Sequence, residues 1–446
     1  MSDAPWGGRR LHFIGIGGAG MSGLAIVAAG LGAGVSGSDR AESAYFARLR
    51  EIGIEPVVGH DAANVPEGAE VVVSTAIADD NAELAAARAA GLRVLHRGEL
   101  LGEVSRLKRC LAVAGTHGKT TTASMTAHAM VECGHRPAYL VGGEVRTTGT
   151  NASWGQGDWV VVEADESDRS FLRLQPDVAV VTNVELDHHT TYRTLPEVEQ
   201  AFAEFAGPAP TVIAPAGLTL HDVPPAVTFG IENGTFSARK LELLPGGSRF
   251  EVDGVEVNLR VPGRHNVLNA LAALAACREA GVGVDLAAPT LAGFAGAGRR
   301  FEPHGQTSAG ALVYDDYAHH PTEVRATLEA ARSLEPRRLV AVFQPHLYSR
   351  TERMAREFGR ALALADLVVV LEIYPARERA EDFPGVSGWA VAAATASAAA
   401  GRRVYWLPKI EDAEAFLQGE LREGDLLLTL GAGDVDQLAR RLGSGT

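Results

Sequence analysis

The residues best suited to chemistry form a glycine-rich run just beyond the first quarter of the chain. Its members are Gly115, Thr116, His117, Gly118, Lys119, Thr120 and Thr121. Backbone N–H groups at a helix N-terminus bind phosphate, because they lack intrahelical partners and lie at the positive end of the helix dipole. Lys119 supplies a cation for the β- and γ-phosphates, and the Thr120 hydroxyl is suited to bind Mg²⁺. The run therefore predicts a site for a nucleoside triphosphate.

Two predicted elements must hold this run in place. The apolar residues Cys110 to Ala114 predict a buried strand, and residues Lys119 to Glu132 predict a helix that Gly134 closes. The strict phosphate-loop pattern has glycine at the position of Val113, so this run is a variant of that pattern. The alternative interpretation is a simple turn between a strand and a helix.

Composition restricts the class of protein. A chain of 446 residues with 46% hydrophobic residues is too long for one core, and we expect several domains. A net charge of −14 argues against a general nucleic-acid surface. No apolar stretch approaches the ~18 residues of a membrane helix, and Met1 to Arg10 lack the apolar segment of a signal peptide. We therefore expect a cytoplasmic protein with no nucleic-acid or membrane partner, and the sequence leaves open whether it is a monomer or a homodimer.

Alternating strand and helix signals divide the chain into three α/β blocks. We predict a Rossmann-like parallel sheet over residues 1–108, a P-loop ATPase-like mixed sheet over 109–307 and a Rossmann-like, doubly wound sheet over 308–446. In the central block, turn signals within residues 237–261 predict antiparallel hairpins. A helix is predicted over residues 266–281, and residues 305–310 are expected to connect the central and third blocks.

A second glycine-rich run follows the first predicted strand. It contains Gly15, Gly17, Gly18, Ala19 and Gly20. With Asp39 about twenty residues further on, the run matches a dinucleotide-binding fingerprint. A diphosphate on the helix end and a ribose bonded to Asp39 suit NAD and a UDP-linked sugar equally, and a structural turn is a third possibility. We assign Ser74, which ends a later predicted strand, to the same site.

Acidic residues follow the strand ends of the central block. The first group contains Glu163, Asp165, Glu166 and Asp168. Such crowding indicates that a divalent cation or a basic group neutralises part of the charge, although a solvated acidic loop is the alternative. Asp187, His188 and His189 follow the next predicted strand. A histidine and a carboxylate from these adjacent strand ends, together with the Thr120 hydroxyl, could form Mg²⁺ sites, while capping by Asp187 and a surface position for His189 stay open.

The third block places further polar residues at strand ends, where ligands of doubly wound sheets bind. His346 and Arg377 are our candidates for substrate contacts, although either residue could simply fix its loop. The adjacent pair His319 and His320 suggests zinc, but neighbouring histidines point apart and no further ligand has suitable spacing. Pro321 predicts the start of a helix there.

Six ordered stretches resemble the Mur ligases of peptidoglycan synthesis over nearly the whole chain. They are Gly115 to Thr121, Glu163 to Asp168, Asp187-His188, Gly263 to Asn269, Arg299 to Glu302 and Asp315 to Pro321. Within that family, the run Gly15 to Gly23 and the second and sixth stretches look most like the branch that adds L-alanine. Other amide-forming members tend to use a carbamylated lysine in the central domain, and no lysine occurs here between Lys119 and Lys240.

The resemblance implies that ATP activates the carboxylate of UDP-N-acetylmuramate as an acyl phosphate, which L-alanine attacks to give an amide, ADP and phosphate. It implies that Lys119 and Mg²⁺ support phosphoryl transfer from ATP, and that Thr120, Glu163 and His188 hold the Mg²⁺. In that reaction we place His346, our further catalytic candidate, near the incoming amine and Arg377 near the alanine carboxylate. Asn269 would recognise adenine, and Arg300 and Asp316 would hold the nucleotide. The alternative for Asn266 and Asn269 is capping of a helix N-terminus. The family pattern has an acidic residue where this chain has Thr190, so the surroundings of a second metal are not assigned.

Three other functions compete with this one. A sister ligase attaches a whole murein tripeptide to UDP-N-acetylmuramate with the same domains and a different third-domain pocket. An NAD-dependent oxidoreductase would use the Gly15 to Gly20 loop but would leave the Lys119 loop without a purpose. A nucleotide-switch protein without catalysis would release no ADP in response to UDP-N-acetylmuramate and an amino acid.

Overall fold

A computed structural model describes residues 4–443, which fold into three α/β domains. Within the described residues, backbone contacts group the chain into two compact units. The first unit runs to Val184 and also contains Leu195–Ser237 and Asn269–Leu291. The second contains Glu185–Thr194, Ala238–Leu268 and the residues from Ala292 onward. Each unit is described by itself below.

The N-terminal domain is a parallel sheet in the order β3-β2-β1-β4-β5. Its strands are β1 (Arg10–Ile14), β2 (Gly34–Asp39), β3 (Val57–Val58), β4 (Glu70–Val73) and β5 (Val94–His96). Its helices are α1 (Ala19–Gly30), α2 (Ala44–Glu51), α3 (Ala82–Ala89) and α4 (Arg97–Ser105). The apolar side chains of Ile14, Val71, Leu84 and Ala87 form a core between the sheet and α3. This order reverses at β1, so the glycine loop after β1 lies at the switch point where α/β sheets bind ligands.

The central domain has a mixed sheet. Its strands in the first unit are β6 (Arg109–Ala114), β7 (Ala138–Val145), β8 (Thr150–Ser153), β9 (Trp159–Glu163), β10 (Val178–Val181), β11 (Thr211–Pro215) and β12 (Val227–Ile231). They follow the order β12-β11-β10-β6-β9-β7-β8, and β8 is antiparallel to β7. The helices are α5 (Lys119–Glu132), α6 (Leu195–Ala206), α7 (Arg264–Glu279) and α8 (Val284–Thr290). The strands β6, β9 and β10 are almost entirely buried, which is typical of parallel strands covered on both faces.

The chain from β12 continues into an antiparallel meander. It consists of β13 (Phe236–Leu244), β14 (Gly247–Val252) and β15 (Val255–Leu259). Tight turns at Gly246 and Gly254 separate these strands, and both glycines have positive φ. The hairpins predicted over residues 237–261 are confirmed.

The third domain is a sheet in the order β16-β17-β21-β18-β19-β20, with only β16 antiparallel among the described strands. Its strands are β16 (Glu302–Gln306), β17 (Leu312–Asp316), β18 (Arg338–Phe343), β19 (Leu367–Val370), β20 (Arg403–Trp406) and β21 (Asp425–Leu430). Its helices are α9 (Pro321–Arg332), α10 (Tyr348–Leu362), α11 (Gly388–Ala398), α12 (Ile410–Glu420) and α13 (Asp436–Gly443). Along β18, Leu339 and Ala341 join one core cluster and Val340 and Val342 join another. The sheet is therefore covered on both faces, as predicted for a doubly wound domain.

Three local predictions need correction. The expected connector over residues 305–310 is partly strand, because β16 pairs with β17 and extends to Gln306. The helix predicted from Asn266 begins at Arg264, so Asn266 lies in the first turn and its side-chain amide donates to the Pro262 oxygen at 2.7 Å instead of capping the helix. The apolar run from Leu367 to Ile373 predicts a strand over that range, but the strand of the structure ends at Val370.

Across residues 4–443, no helix combines the length and apolar character needed to cross a membrane. The longest helix, α7, has charged residues at both ends.

Candidate active site

The phosphate-binding run joins the buried strand β6 to helix α5, as predicted. Gly115 and Gly118 have φ values of +141° and +78°, a region that residues with a side chain rarely adopt. A Cβ at Gly118 would collide with Oδ1 of Asn269, and a Cβ at Gly115 would collide with the Thr182 hydroxyl. The two glycines therefore let the loop pack directly against neighbouring polar side chains. Asn269, predicted to contact adenine, lies beside this loop and accepts a hydrogen bond from Thr122 at 3.3 Å.

The segment after β10 shapes the same loop. The N–H of Thr116 donates to the backbone oxygen of Asn183 at 3.2 Å, and the N–H of His117 donates to Oδ1 of Asn183 at 2.9 Å. The hydroxyl of Thr182 donates to the backbone oxygen of His117 at 2.5 Å. Our predictions did not include Asn183 as a site residue. Its position directly after a central parallel strand was the signal that pointed to it.

Lys119 is largely buried and has several partners. Its Nζ donates to the backbone oxygens of Gly115 at 2.6 Å and Thr116 at 3.2 Å, and it pairs with Glu166 at 2.9 Å. Burial alone would lower the pKa of Lys119, but the charges of Glu166 and Asp165 raise it by a larger amount. The pKa therefore lies above its ordinary value. The amine is therefore fully charged at neutral pH, as a group that binds phosphate must be.

Thr120 and Glu163, two of the predicted Mg²⁺ ligands, meet in the structure. The Thr120 hydroxyl donates to Oε1 of Glu163 at 2.9 Å, and the N–H of Gly142 donates to Oε2 at 2.5 Å. A Cβ at Gly142 would lie 2.7 Å from Oε2, so glycine allows β7 to approach the carboxylate. Hydroxyl and carboxylate oxygens are the hard donors that Mg²⁺ prefers, and the donor set fits this ion. Strand β7 was not predicted, which is why Gly142 was missed.

The crowded acidic run is neutralised by basic side chains. Nη2 of Arg97 donates to Asp165 and to Asp168, both at 2.8 Å. Burial lowers the pKa of Arg97, while the two carboxylates raise it well above its ordinary value. With Glu166 paired to Lys119, the alternative of a solvated acidic loop is wrong. Sequence reasoning missed Arg97, because nothing in its own surroundings marks it.

The glycine loop after β1 supports the N-terminus of α1. The N–H of Gly15 donates to the Ser38 oxygen at 2.8 Å, the N–H of Gly17 donates to Oδ2 of Asp39 at 2.9 Å, and the N–H of Gly18 donates to the Gly15 oxygen at 3.2 Å. These three donors already have protein acceptors. An anion at this loop would therefore meet the N–H groups of the first helical turn, which have no intrahelical acceptor.

Other predicted residues of this region lie near that helix end. A Cβ at Gly20, in the first turn of α1, would lie 3.4 Å from Nη1 of Arg97. Ser74 directly follows β4 at the carboxyl edge of the sheet, and its hydroxyl accepts the Ala76 N–H at 3.3 Å. One carboxylate oxygen of Asp39 is used inside the protein, on Gly17. The roles of Ala19, Gly20, Asp39 and Ser74 in binding a UDP-sugar stay predictions.

In the second unit, Asp316 holds the start of the third domain together. Its carboxylate accepts the N–H groups of Phe301 at 2.7 Å and Ala318 at 2.8 Å. Burial raises the pKa of Asp316 to about 6, although Arg300 opposes this shift. Arg300 lies 3.8 Å from Glu323. Nucleotide binding by Arg300 and Asp316 stays a prediction, because these contacts are all within the protein.

The adjacent histidines of the third domain share one partner for their backbones, because the N–H groups of His319 and His320 donate to Oε2 of Glu323 at 3.0 and 3.3 Å. A ring nitrogen of His319, Nδ1, lies 2.9 Å from the Tyr317 oxygen. His320 is the N-cap of α9 and forms a capping box with Glu323, and Pro321 begins the helix as predicted. The two rings therefore serve different local structures.

His346, the predicted contact for an incoming amine, lies in the turn between β18 and α10. Nη1 of Arg350 lies 3.2 Å from Nδ1 of His346, and the imidazole stacks on Tyr374 with ring centroids 5.9 Å apart. Burial and the nearby His319, Arg350 and Arg377 lower the pKa of His346 to about 2, so the ring is neutral. Arg377 is exposed in the turn after β19, and its contact with a carboxylate stays a prediction.

The segment containing the predicted ligand His188 also belongs to the second unit. Its neighbour Asp187 is 4% exposed and forms a bidentate pair with Arg350, at distances of 2.9 to 3.0 Å. The N–H of His188 donates to Oδ1 of Asp187 at 2.7 Å, and His188 has a φ of +52°. Thr190 is exposed. Metal binding by His188 stays a prediction.

Comparison with known families agrees with this geometry. The model of the "Mur ligase family, catalytic domain" matches residues 10–109, that of the "Mur ligase middle domain" matches 113–277, and that of the "Mur ligase, glutamate ligase domain" matches 299–433. A UDP-N-acetylmuramate–L-alanine ligase of Streptomyces coelicolor is 45% identical over 452 residues, covering 97% of this chain and 96% of its own. This chain belongs to the Mur ligase family.

Solved structures of Mur ligases share the whole fold. The crystal structure of a UDP-N-acetylmuramate–alanine ligase from Thermotoga maritima is 32% identical and superposes with a TM-score of 0.84, covering 97% of this chain and 98% of its own. A murein peptide ligase from Psychrobacter arcticus is 27% identical, with a TM-score of 0.73, and covers 98% of this chain and 99% of its own. As a Mur ligase, the protein is an ATP-dependent enzyme that forms amide bonds.

Proposed function

We propose that this Mur ligase joins L-alanine to the carboxylate of UDP-N-acetylmuramate, giving UDP-N-acetylmuramoyl-L-alanine, ADP and phosphate. The observation that carries the proposal is the near full-length identity of 45% to a ligase named for this reaction, together with an intact phosphate loop at Lys119. The reaction supplies a precursor of peptidoglycan, and we propose that it takes place in the cytoplasm.

The domains would divide the substrates among them. Residues 1–108 would bind the UDP-sugar, residues 109–307 would bind ATP, and residues 308–446 would bind the amino acid. The N–H groups at the start of α1 are suited to the diphosphate. Asn269, beside the phosphate loop, is suited to adenine, and Arg300 and Asp316 are proposed to hold the nucleotide.

The proposed reaction has two steps. A carboxylate oxygen of UDP-N-acetylmuramate attacks the γ-phosphorus of ATP, and ADP leaves. The amine of L-alanine then attacks the acyl carbon, loses a proton, and phosphate leaves as the amide forms. Phosphoryl transfer depends on positioning and on neutralising charge, which the fully charged Lys119 supplies at the γ-phosphate.

Thr120, Glu163 and His188 would hold Mg²⁺, which would neutralise charge on the transferred phosphoryl group. Thr120 and Glu163 supply the hard oxygen donors that this ion prefers, and their contact at 2.9 Å supports the proposal. The N–H of Gly142 donates to the second oxygen of Glu163 and so orients this carboxylate.

At the third domain, the neutral His346 is proposed to lie near the amine of the incoming L-alanine, which an uncharged ring does not repel. The exposed guanidinium of Arg377 is suited to the alanine carboxylate, because arginine binds carboxylates in a bidentate manner. L-serine and glycine would be discriminated only weakly, since one methyl group is worth ~1 to 3 kcal/mol.

A direct test measures ADP release by the full chain with ATP, Mg²⁺ and UDP-N-acetylmuramate, adding either L-alanine or the murein tripeptide. We expect turnover with L-alanine and none with the tripeptide. Turnover with the tripeptide alone would establish the sister function instead. NAD reduction without ADP release would contradict both ligase assignments.

A further inference from the structure

Arg350 is an almost fully buried arginine in the first turn of α10, with 2% of its surface exposed. Its Nε donates to Oδ1 of Asp187 at 3.0 Å, and its Nη2 donates to both carboxylate oxygens at 2.9 and 3.0 Å. The planar guanidinium therefore fixes both the position and the plane of this carboxylate. Burial raises the pKa of Asp187, but the charge of Arg350 outweighs it and holds this pKa well below its ordinary value.

The remaining nitrogen of Arg350 faces a different part of the chain. Nη1 lies 3.2 Å from Nδ1 of His346 and 3.2 Å from the His346 backbone oxygen. Because arginine can only donate, Nδ1 of His346 must be an acceptor, and the ring proton must reside on Nε2. Arg350 therefore determines which tautomer the imidazole adopts.

Asp187 in turn fixes the backbone of the next residue, His188. Its Oδ1 accepts the N–H of His188 at 2.7 Å, which holds His188 at a φ of +52°. A non-glycine residue in this region is sustained only when its surroundings fix it. One guanidinium therefore organises two segments far apart in sequence, each containing a residue with a predicted role in the reaction.

We propose that Arg350 is a positioning residue of the active site, which holds the segment of Asp187 and His188 and the turn of His346 in their reactive arrangement. Arg350 itself would touch neither substrate nor metal. This inference rests on the proposed function for the kinetic effects, but its structural consequence for the His346 ring does not depend on any substrate.

The alternative role for Arg350 is stabilisation of the fold alone. Breaking a buried ion pair is strongly destabilising, so a loss of stability does not distinguish the two roles. A residue that only stabilises the fold would leave the kinetic constants of the folded protein unchanged. A positioning residue would change the constants of those ligands that its partners contact.

The first experiment compares Arg350→Lys with Arg356→Lys, a conservative change at an exposed arginine of the same helix. Lysine keeps the charge at 350 but loses the planar fork. With the folded fraction accounted for, we expect the KM for L-alanine to rise ~10-fold or more, as expected for one lost charge-assisted hydrogen bond. The KM for UDP-N-acetylmuramate should stay within about twofold of the unchanged protein, as should all constants of the control.

The second experiment tests the metal side without turnover. Mn²⁺ binding in the presence of a non-hydrolysable ATP analogue is measured by electron paramagnetic resonance for the unchanged protein, Arg350→Lys and Arg356→Lys. We expect weaker Mn²⁺ binding only in Arg350→Lys, because His188 loses its fixed backbone position. Equal Mn²⁺ affinity in all three proteins, together with an unchanged KM for L-alanine, would overturn the proposal.

The third experiment observes the imidazole directly. In protein labelled with ¹⁵N-histidine, nitrogen chemical shifts report whether Nδ1 or Nε2 of His346 carries the proton, and His346→Asn assigns the signal. We expect the Nε2–H tautomer in the unchanged protein and a mixture in Arg350→Lys. The same tautomer in both would overturn the proposal. Inactivity of the unchanged protein with L-alanine, with the tautomer change still present, would instead refute the proposed function.

If Arg350→Lys fails to fold, Asp187→Asn provides the same tests. The amide keeps the acceptor for the His188 N–H but loses the charge that binds Arg350. We expect a smaller change in Mn²⁺ affinity and in the KM for L-alanine, in the same direction. Unchanged values for both in folded Asp187→Asn would count against the proposal.

Discussion

Two buried ion pairs of this protein differ in the kind of cation they use. In the first unit, Lys119 pairs with Glu166 and also donates to two backbone oxygens of its own loop. In the second unit, Arg350 holds Asp187 through three hydrogen bonds in a fixed fork. The lysine side chain is 14% exposed and the arginine side chain 3%. Both pairs bring opposite charges within 3 Å, and the lysine is the more exposed of the two cations.

This difference follows from the chemistry of the two side chains. An ammonium group is a compact charge that can turn from a carboxylate to a phosphate with little rearrangement, whereas a guanidinium loses its paired geometry when a partner moves. A cation that must bind a transient γ-phosphate is suited to lysine. A cation that must hold a segment in place throughout the reaction is suited to arginine. Substitution of Lys119 should therefore affect activity more than stability, whereas substitution of Asp187 should affect stability more strongly.

The largest effect is expected for Lys119→Met. Removing the charge at the γ-phosphate should lower kcat by ~1,000-fold, the cost of losing one charged stabiliser of the transition state. Stability should also fall, because the buried Glu166 carboxylate loses its cation, but the loss of activity in the folded protein should be the larger effect. The measurement is ADP release, with Lys119→Arg as the matched control that keeps the charge. Retention of more than about a tenth of the activity by Lys119→Met would contradict the exchangeable role of this lysine.

A second pair of substitutions compares how much each ion pair contributes to stability. Asp187→Ala should lower the free energy of unfolding by ~3 to 5 kcal/mol, because it leaves the Arg350 charge buried without its carboxylate. Glu166→Ala should cost less than half as much, since Lys119 retains two backbone acceptors. Urea denaturation of both variants checks this order. A greater loss of stability in Glu166→Ala would reverse the comparison.

The sequence predicted the parts of the molecule that local chemistry determines. The helix Lys119–Glu132 begins and ends where expected, because glycines at 115, 118 and 134 fix the turns on either side. Both glycine loops were placed correctly between a strand and a helix. The antiparallel hairpins were also predicted, because Gly246 and Gly254 mark their turns.

Contacts between distant residues could not be predicted in the same way. Arg97 and Asp165 are separated by 68 positions, and Arg350 and Asp187 by 163. No local pattern links such residues, since each pair meets only after strands from different parts of the chain have paired. The edge strand β16 was missed for a related reason, because its sequence contains Pro303 and Gly305 and resembles a connector. The sequence therefore predicted individual candidate residues, but it did not predict the side chains that contact and orient them.

The packing of the phosphate loop offers a third test. Gly118→Ala adds a Cβ that collides with Asn269, whereas Gly246→Ala adds one at a similar φ, +75°, with nothing within 4 Å. Both changes should cost ~1 kcal/mol or more of stability, because alanine is strained at positive φ. Only Gly118→Ala should also weaken ATP binding, by ~10-fold or more. Equal ATP affinity in the two variants, measured by calorimetry, would show that Lys119 does not depend on the loop around it.

Arg97 is the other cation that pairs with the acidic run of the first unit. Its substitution is expected to have an effect between those expected for Lys119 and Arg350. Arg97 holds Asp165 and Asp168 in the manner of Arg350, but its Nη1 lies beside Gly20 at the start of α1. Arg97→Lys should raise the KM for the UDP-sugar by ~3- to 10-fold, with a smaller effect on the KM for ATP. Arg88→Lys, at an exposed pair with Asp79, is the matched control. An unchanged KM for the UDP-sugar would assign Arg97 to the fold alone.

The last effect concerns pH and three histidines of the second unit, each of which contributes little by itself. Burial lowers the pKa of His346 to about 2 and those of His265 and His319 to about 4. In the unfolded chain these rings titrate near 6.5, so below that pH the unfolded state binds protons that the folded state does not. Stability that is fully present above pH 6.5 should therefore decline as the pH falls, by ~1 kcal/mol for each ring between pH 7 and pH 5.5.

The pKa of the Asp187 carboxylate is also lowered, but its contribution to stability should be lost only at a lower pH than that of the histidines. Its unfolded pKa is near 3.9, so the Arg350 pair keeps its full stabilising effect at pH 5.5 and weakens only below about pH 4. His346→Gln should reduce the loss of unfolding free energy between pH 7 and pH 5.5, while Asp187→Asn should lower stability equally at both values. Urea denaturation at these two pH values separates the effects. A pH-dependent loss in Asp187→Asn smaller than in the unchanged protein would mean that the ion pair, and not the buried neutral rings, sets the acid sensitivity of the second unit.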